Sequence, residues 1–353
     1  MILFVSPYPK GTAASQRFRY EQYFKALDER GIAYDVSPFW EEKAWKLLYQ
    51  KGNVGAKIFY LLKGFLRRWS LVYKCFRFDY IFIHREIYPT GIKFLIFVLA
   101  KVMNQKIIYD FDDAIWLPNF ADNNKRFAFI KSYSQVASLC KNAYKISVGN
   151  EYLQEFAQQY NSSTVINPTT IDTDLLHNST IDYNYNSIKI GWTGTHSTLK
   201  YVLDLLPVLD ELSIQYNFEL IIISDQHPDF ERPYLKYIKW SKQSEIEDLK
   251  KINVGIMPLT DDQWAKGKCG FKALQYMSLG IPAIVSPVGV NTKIVDDKVN
   301  GWVCANLEEW KTTFEQVLND PELPKSLGKN ARIKVVKDFS VSSNTQNFIA
   351  LFS

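Results

Sequence analysis

Residues 255–286, GIMPLTDDQWAKGKCGFKALQYMSLGIPAIVS, contain two short apolar runs with a helix-length segment between them. The runs Gly255–Pro258 and Ala283–Ser286 are typical of strands that are buried on both faces, and Phe271–Leu279 is typical of a helix. A strand, a helix and a second strand in this order predict a parallel βαβ unit.

The same alternation extends over the whole chain of 353 residues. Further apolar runs predict the strands Ile2–Ser6, Tyr80–His84, Lys106–Tyr109, Lys145–Val148, Val165–Ile166, Ile188–Trp192, Glu219–Ile223, Tyr237–Trp240 and Trp302–Cys304. Helical patterns cover Phe18–Arg30, Ile92–Met103, Asn124–Lys141, Glu151–Gln159, Leu199–Ser213, Glu245–Lys251, Leu307–Leu318 and Pro324–Phe339. The alternation predicts an α/β protein with doubly wound sheets.

A polar stretch rich in Asn, Thr, Asp and Ser interrupts this pattern at residues 171–186, and it is typical of a linker. We therefore expect an N-terminal Rossmann-like domain over residues 1–170 and a second one over residues 187–339. Two such domains that face each other leave an interdomain cleft, with the ligand loops at the carboxyl ends of the strands.

Composition excludes several classes of protein. With 47% hydrophobic and 22% charged residues the chain is globular, and a net charge of +5 is too mild for a protein that binds nucleic acid over its whole surface. The four cysteines and four histidines are scattered, so neither a disulfide framework nor a metal site local in sequence is expected. Neither half carries G-x-G-x-x-G after its first strand, which disfavours nicotinamide-dependent dehydrogenases, and the P-loop motif is absent.

Cysteine usage and hydropathy also bear on location. Unpaired, widely spaced cysteines fit a reducing compartment, so we expect a cytoplasmic protein. The longest fully apolar stretch, Phe94–Ala100, is far shorter than the roughly 18 residues that cross a bilayer.

Lysines surround the predicted start of the helix near Gly270, where Phe271 follows. A helix N-terminus carries partial positive charge, and Lys266, Lys268 and Lys272 would add full charges around it. Together they form a good site for a diphosphate. The alternative is a lysine-rich surface loop.

This segment resembles the nucleotide-sugar motif of glycosyltransferase family 4 (group 1), whose members have the GT-B fold. In that family a Glu, seven residues and a second Glu precede an A-M-A-x-G-x-P turn. Residues 275–282 match the second half of the motif, and 286–289 and 300–303 match the strand, loop and turn that follow. Residues 191–195 match the first strand of the second domain, so the resemblance covers nearly the whole chain.

The chain also departs from the family pattern. Gln275 stands in place of the second Glu and Gly267 in place of the first. A glutamine amide can still bind ribose hydroxyls, whereas glycine offers no carboxylate to the donor sugar. The family's Arg after the first strand of this domain is missing at Thr193 and Gly194, while Lys200 matches the accompanying Lys.

The resemblance implies a retaining glycosyltransferase of GT-B fold. It would move a sugar from a nucleotide-diphosphate sugar to a hydroxyl of a glycan or lipid-linked acceptor, in bacterial lipopolysaccharide, other surface-polysaccharide or glycoconjugate biosynthesis. No metal or other cofactor is expected, because fixed lysine charges can stabilise the leaving diphosphate. The family also implies that the last helix, residues 340–353, packs back on the first domain. The alternatives are a GT-B nucleotide-sugar epimerase and a non-catalytic nucleotide-sugar-binding subunit.

Candidate donor-binding residues belong to the second domain. His196 follows its first strand and could contact phosphate or base, and Trp240 could form a wall of the nucleobase pocket. A surface histidine and a core tryptophan are the alternatives. The full donor set is Gly194, Thr195, His196, Lys200, Trp240, Lys266, Lys268, Gly270, Phe271, Lys272 and Gln275.

Loops of the first domain supply the acceptor-side and catalytic candidates. The loop after the first strand contributes Gly11, Ser15, Arg17 and Arg19, with Ser15 as a helix N-cap, and the loop after Tyr80–His84 contributes His84 and Glu86. The resemblance gives Asp112 and Asp113 a role in positioning the acceptor or stabilising an oxocarbenium ion, beside Lys268 as the third catalytic candidate. Helix capping and a salt bridge to Arg85 are the alternative for both aspartates.

Residues 43–77 contain nine Lys or Arg and no Asp or Glu. Apolar residues recur there at helical spacing: Ile58, Leu61, Leu62, Phe65, Trp69, Val72, Tyr73 and Phe76. A basic amphipathic helix of this kind can lie peripherally on an anionic membrane, here the inner face of the cell membrane. The alternative is a helix packed on the core with a solvated basic face.

Overall fold

The computed structural model describes residues 1–48, 50–90, 93–117, 134–183 and 187–353. The chain forms two compact units. The first comprises residues 1–169 and 345–353, and the second comprises residues 170–344. The predicted helix Asn124–Lys141 lies partly outside the described residues.

The first unit is built on a six-stranded parallel sheet of order β2-β1-β3-β4-β5-β6. Its strands are β1 (Ile2–Ser6), β2 (Tyr34–Pro38), β3 (Tyr80–His84), β4 (Lys106–Phe111), β5 (Lys145–Val148) and β6 (Thr164–Ile166). Its helices are α1 (Ala14–Arg19), α2 (Phe24–Glu29), α3 (Glu42–Leu48), α4 (Val54–Trp69), α5 (Leu71–Lys74), α6 (Phe94–Phe97), α7 (Ser134–Asn142), α8 (Glu151–Gln158) and α17 (Val341–Ile349), which extends into this unit from residue 345. The single-turn segments are Glu21–Tyr23, Cys75–Arg77, Val98–Val102 and Ala350–Phe352.

The core of the first unit is rich in aromatic side chains. Phe4, at the centre of β1, stacks on Tyr20 with a centroid distance of 5.1 Å. The end of the chain closes this core, because Phe348 stacks on Tyr23 at 4.2 Å. The Lys145 ammonium also donates a hydrogen bond of 2.8 Å to the carbonyl of Ala350.

The second unit has a parallel sheet of order β12-β11-β10-β7-β8-β9. Its strands are β7 (Ile188–Gly194), β8 (Phe218–Ser224), β9 (Leu235–Lys239), β10 (Val254–Met257), β11 (Ala283–Val285) and β12 (Gly301–Val303). Its helices are α9 (Lys200–Leu203), α10 (Leu206–Leu212), α11 (Glu245–Leu249), α12 (Gln263–Lys266), α13 (Phe271–Ser278), α14 (Asn291–Ile294), α15 (Leu307–Asn319), α16 (Glu322–Asp338) and the start of α17; a single turn covers His196–Thr198. The doubly wound parallel sheets expected from the sequence are confirmed.

Residues of the polar stretch 171–186 contact the second unit as far as Tyr183. Ile171 bridges to Ser340, and the Ile181 N–H donates to the Leu279 carbonyl at 2.9 Å. The Tyr183 hydroxyl donates to the Pro324 carbonyl at 3.1 Å. These residues therefore lie on the second unit and do not form a free linker.

Three expected helices are divided in the structure. The predicted helix Phe18–Arg30 begins earlier and is interrupted near Tyr20, whose φ of −141° is not helical and whose ring packs on the core. The predicted helix Leu199–Ser213 is split before Pro207, because proline has no N–H to donate and is accepted only in the first turn of α10. The predicted helix Ile92–Met103 passes into a π-helical turn at Val98–Val102.

No helix among the described residues has both the length and the apolar character needed to cross a lipid bilayer.

Candidate functional site

In the second unit, α13 follows β10 through a lysine-rich loop. Gly270 is the N-cap of α13, with φ of +67°, a conformation that favours glycine. A Cβ atom at position 270 would lie 2.1 Å from Ile294 Cδ1. The expected helix start near Gly270 is confirmed, and the positive end of the α13 dipole lies at this loop.

The side chain of Lys272 reaches from the first turn of α13 to the end of β7. Its ammonium lies 5.6 Å from the centroid of the Trp192 ring. A Cβ atom at Gly194 would lie 2.9 Å from Lys272 Cε, so glycine at 194 leaves room for the lysine. The family motif has its Arg at the position of Thr193 and Gly194. Lys272 places a cation beside Gly194, but it does so from α13.

The other two lysines precede Gly270 in the chain. Lys266 ends α12 and pairs with Asp261 at 3.2 Å, and the Lys268 ammonium lies 5.9 Å from the Trp264 ring centroid. All three lysines of the loop are half-buried. The three lysines therefore lie around the start of α13, and Lys266 is held by its ion pair with Asp261.

Gln275 and Tyr276 lie next to each other on α13 but face different surroundings. Gln275 is buried to 6% exposure, and its side-chain amide has no hydrogen-bond partner among the residues that the structure describes. The Tyr276 hydroxyl accepts a hydrogen bond of 2.9 Å from the Thr193 N–H and donates one of 3.4 Å to the Ile256 carbonyl. Tyr276 therefore ties α13 to the end of β7.

His196 lies in the exposed turn after β7. Its Nδ1 is 2.9 Å from Asp225 Oδ2, and its N–H donates to Asp225 Oδ1 at 2.7 Å. Burial acts to raise the pKa of Asp225, but the hydrogen bonds from His196 outweigh it and hold the pKa below its ordinary value. The imidazole is thus oriented by a carboxylate, with Thr195 exposed beside it.

Lys200 and Trp240 are also exposed. The Lys200 ammonium lies 5.0 Å from the Tyr201 ring centroid on α9. Trp240 follows β9, its N–H donates to the Ser224 carbonyl at 2.8 Å, and its residue exposure of 38% shows that it is not a core tryptophan.

In the first unit, the loop after β1 is held by Gln16. The Tyr8 N–H donates to Gln16 Oε1 at 2.9 Å, and Gln16 Nε2 donates to the Tyr8 carbonyl at 3.1 Å. The Gly11 N–H donates to Glu21 Oε2 at 2.8 Å. The loop is therefore closed by side chains of the following helices.

Two expectations for this loop need correction or refinement. Ser15 is not the N-cap of α1, because the helix begins at Ala14 and its cap residue is Ala13, which has no side-chain hydrogen bond to offer. Arg17 is half-buried, with its guanidinium carbon 5.0 Å from the Phe18 ring centroid.

Arg19 is fully buried and forms an ion pair with Asp110 at the end of β4. Its Nε lies 3.3 Å from Asp110 Oδ2, and its Nη2 contacts Oδ1. Ser147 also donates to Asp110 Oδ1 at 2.7 Å. The Arg19 guanidinium is buried in the core of the first unit. It is therefore not exposed to a sugar acceptor, contrary to the expectation from sequence.

His84 belongs to the same buried cluster. Its Nδ1 lies 2.8 Å from Asp110 Oδ2, and its Nε2 has no hydrogen-bond partner among the described residues. Burial acts to raise the pKa of Asp110, but the charge of Arg19 and the hydrogen bond from His84 outweigh it and hold the pKa well below its ordinary value. An ionised Asp110 makes His84 Nδ1 the donor.

Asp112 and Asp113 share Arg85 as their partner. Arg85 Nε donates to Asp112 Oδ1 at 2.9 Å, and Arg85 Nη2 contacts Asp113 Oδ2. Burial acts to raise the pKa of Asp112, but Arg85 and the neighbouring cations lower it. The salt bridge that was the alternative for both residues is thus present, and Glu86 lies half-buried beside it, its N–H donating to the His84 carbonyl at 2.8 Å.

Sequence reasoning missed four residues that hold these sites in place: Gln16, Asp110, Asp225 and Tyr276. Each acts on a partner distant in sequence or in another element, as with the 91 positions between Arg19 and Asp110. A buried carboxylate at the end of an apolar strand was the one available signal, since such a group requires a partner.

Among the residues described by the structure, no group of three or more His, Cys, Asp and Glu side chains is arranged to hold a metal ion.

Comparison with known proteins begins with a family model. Residues 232–334 match the model described as Glycosyl transferases group 1. The matched segment contains the whole lysine-rich loop and α13. No curated protein matches the chain by sequence.

Solved structures match the chain along nearly its whole length. The sucrose-phosphate synthase of Thermosynechococcus elongatus superposes with a TM-score of 0.72 at 13% identity, over 99% of this chain and 98% of that one. Anabaena HepE in complex with UDP and glucose gives a TM-score of 0.65 at 14% identity, over 99% and 98%. The catalytic domain of Arabidopsis thaliana starch synthase IV, bound to ADP and acarbose, gives 0.69 at 10% identity, over 99% and 98%. At these identities the likeness establishes the fold.

Proposed function

From the match of residues 232–334 to the group 1 model and from the GT-B fold of the chain, we propose that the protein is a glycosyltransferase. It would transfer a sugar from a nucleoside-diphosphate sugar to a hydroxyl of a glycan or lipid-linked acceptor, with retention at the anomeric carbon. The product would serve lipopolysaccharide, other surface-polysaccharide or glycoconjugate biosynthesis. The observation that carries the proposal is the position of Lys272 beside Gly194, with Lys268 in the loop just before the N-terminus of α13.

This arrangement suits a diphosphate leaving group. When the bond between the anomeric carbon and the phosphate oxygen breaks, the bonding electron pair leaves with the nucleoside diphosphate, and the acceptor oxygen forms the new bond after losing its proton. Negative charge therefore grows on the diphosphate. Fixed ammonium groups and a helix dipole stabilise that charge more in the transition state than in the bound donor.

Other donor candidates have matching chemistry. The Gln275 amide is buried and has no hydrogen-bond partner among the described residues, and it can both donate to and accept from ribose hydroxyls. Exposed Trp240 offers a ring face to a base, and His196 and Thr195 offer donors near the Lys272 side of the loop. Anabaena HepE has been seen with UDP and Arabidopsis starch synthase IV with ADP, which supports a nucleoside diphosphate as the shared ligand.

The first unit would supply the acceptor side. Gly11 and Glu86 lie in the loops that follow β1 and β3, and Arg17 lies in α1. Asp112 and Asp113, both held in place by contacts with Arg85, would act as fixed negative charge towards a positively charged, oxocarbenium-like sugar. The proposed compartment is the cytoplasm, since the four cysteines are free thiols.

The direct test is a donor screen. The protein is heated with UDP, GDP, ADP and dTDP in turn, and the one that fits is expected to raise its melting temperature. The matching nucleotide sugars are then incubated with lipid-linked acceptors, and the anomeric configuration of the product is read by NMR. An inverted product would contradict retention, an epimerised donor without acceptor would identify an epimerase, and binding without turnover would identify a non-catalytic subunit.

A further inference from the structure

The first unit carries a large apolar surface on the outer side of α4. Ile58, Phe59, Leu62 and Leu66 recur at spacings of three and four residues along this helix, and each is more than half exposed; Leu66 reaches 71%. Such residues at one face of a helix are ordinarily covered in a globular protein. We call them, together with the two phenylalanines described below, the apolar face.

Packing on the core does not account for the apolar face, because α4 packs through its other side. Gly64 lies against the Phe39 ring, where a Cβ atom would be only 2.7 Å from the ring carbons. Phe65 stacks on Tyr88 with a centroid distance of 5.1 Å. The amphipathic pattern seen in the sequence thus has two apolar sides, and the core uses only the inner one.

Arg68 fixes the orientation of this helix. Its buried guanidinium donates to the carbonyls of Ser6 at 2.7 Å, Ile87 at 2.8 Å and Ser37 at 3.0 Å. These acceptors belong to β1, β2 and the loop after β3, so α4 is anchored to three parts of the unit. These hydrogen bonds fix the rotation of α4 about its axis, and with it the outward orientation of Leu62 and Leu66.

A second helix extends the apolar face. Phe94 and Phe97 of α6 are 60% and 51% exposed. The Phe94 ring contacts that of Trp69, the last residue of α4, with a centroid distance of 5.9 Å. The exposed sides of the two helices therefore form one continuous surface, of which the second half lies outside the basic segment 43–77.

The charge around the apolar face is mainly positive. No Asp or Glu occurs in residues 43–77 or 87–109. Lys74 and Arg77 follow α4, and Lys93 and Lys101 bracket α6; all four are exposed, and none has a carboxylate partner among the described residues. Lys63 and Arg67, by contrast, pair with Glu41.

We propose that the apolar face of α4 and α6 docks the protein onto an anionic lipid bilayer. The apolar side chains would enter the boundary between headgroups and acyl chains, and the four unpaired cations would contact anionic headgroups. A second copy of this chain is a poorer occupant, because it would bring the same cationic rim against itself. This surface is separate from the donor site and does not depend on the proposed reaction.

Vesicle co-sedimentation of the full chain tests the proposal. The wild type is expected to sediment with vesicles of phosphatidylcholine and phosphatidylglycerol, and much less with phosphatidylcholine alone. Leu62→Ser combined with Leu66→Ser should lower the partition coefficient at least about tenfold. The matched control is Ile214→Ser with Ile333→Ser, two exposed apolar residues of the second unit that should change nothing.

Substitutions of single lysines test the electrostatic contribution to vesicle binding separately from the apolar one. Lys74→Gln and Lys93→Gln should each lower binding about fivefold at low salt, and Lys236→Gln with Lys329→Gln should leave it unchanged. The proposal is overturned if the wild type ignores anionic vesicles, or if it binds neutral vesicles equally well. It is also overturned if light scattering shows a dimer that the Leu62 and Leu66 substitutions dissociate while no vesicle binding occurs. Circular dichroism confirms that each variant is folded.

Discussion

The ring of Tyr276 fills the space that a side chain at Gly255 would occupy. A Cβ atom at position 255 would lie 2.2 Å from Tyr276 Cδ2, well inside any tolerated contact. Gly255 is part of β10 and Tyr276 part of α13, so the missing side chain lets the helix of the lysine cluster lie directly on the strand. The position of α13, and with it Lys272, depends on this pair.

Gly255→Ala is expected to destabilise the protein by about 1–3 kcal/mol or more, because the added methyl group overpacks a rigid contact. Urea denaturation measures the change. Gly55→Ala is the matched control. Beyond its chain neighbours and its own helix backbone, no described atom lies within 4 Å of its Cβ position on α4, so alanine there should raise stability by about 0.5–1 kcal/mol. Equal effects at the two positions would contradict the packing argument.

Tyr276→Phe retains the ring and removes the hydroxyl. The buried Thr193 N–H then loses its partner, which should cost about 1–3 kcal/mol in the free energy of unfolding. Because Thr193 precedes Gly194, we also expect a higher KM for the donor. A variant with wild-type stability and KM would show that this hydrogen bond does not position the loop.

Asp110→Asn should destabilise the first unit by about 3–5 kcal/mol, since it leaves the buried Arg19 without a countercharge. The control is Asp210→Asn, which removes an exposed pair with Arg232 and should cost no more than about 1 kcal/mol. Urea denaturation of both variants gives the comparison.

The same substitution has a predictable pH dependence. The pKa of Asp110 is lowered in the folded protein, so its stabilisation is fully present above the unfolded pKa of about 3.9 and is lost as pH falls through the lower folded value. The difference between wild type and Asp110→Asn should therefore be constant from neutral pH to about pH 5 and shrink in stronger acid. A difference that grows on acidification would have the wrong sign.

Lys268→Ala and Lys272→Ala should each lower kcat/KM for transfer by about 100- to 1000-fold, because each removes a fixed charge from the leaving group. Lys329→Ala, an exposed lysine of the same unit, should have no effect. Circular dichroism and melting temperature check the fold. Full activity in Lys268→Ala would refute its assignment to the diphosphate.

Transfer should continue in the presence of EDTA, because the lysine cluster supplies the positive charge that the departing diphosphate needs. Initial rates with and without chelator measure this. A rate that EDTA abolishes and Mg²⁺ or Mn²⁺ restores would assign that role to a metal ion.

Sequence patterns predicted buried elements best. Strands β1 and β3 each begin with four consecutive apolar or aromatic residues, and both were found at the expected bounds. The strand β2 was missed. Tyr34–Pro38 lies at the edge of the sheet, and the exposed Asp35 interrupts its apolar residues. An edge strand that is covered on one side has no continuous apolar run to detect.

The candidate sites were predictable to the extent that they are local in sequence. The lysines around Gly270 are within seven positions of each other, so their clustering followed from one helix start. The burial of Arg19 could not be predicted in this way. Arg19 lies in α1 and its partner Asp110 in β4, and only the folded unit brings the two together. An arginine near a loop has the same appearance in sequence whether it faces solvent or a buried carboxylate.

Phe348, stacked on Tyr23, also has a consequence for how the protein is made. The chain completes its second unit before residues 345–353 are synthesised, yet those residues close the aromatic core of the first. During translation the Phe348 ring therefore reaches Tyr23 only after residues 170–344 of the second unit have been synthesised. A chain truncated after residue 344 would leave Tyr23 permanently without the Phe348 ring.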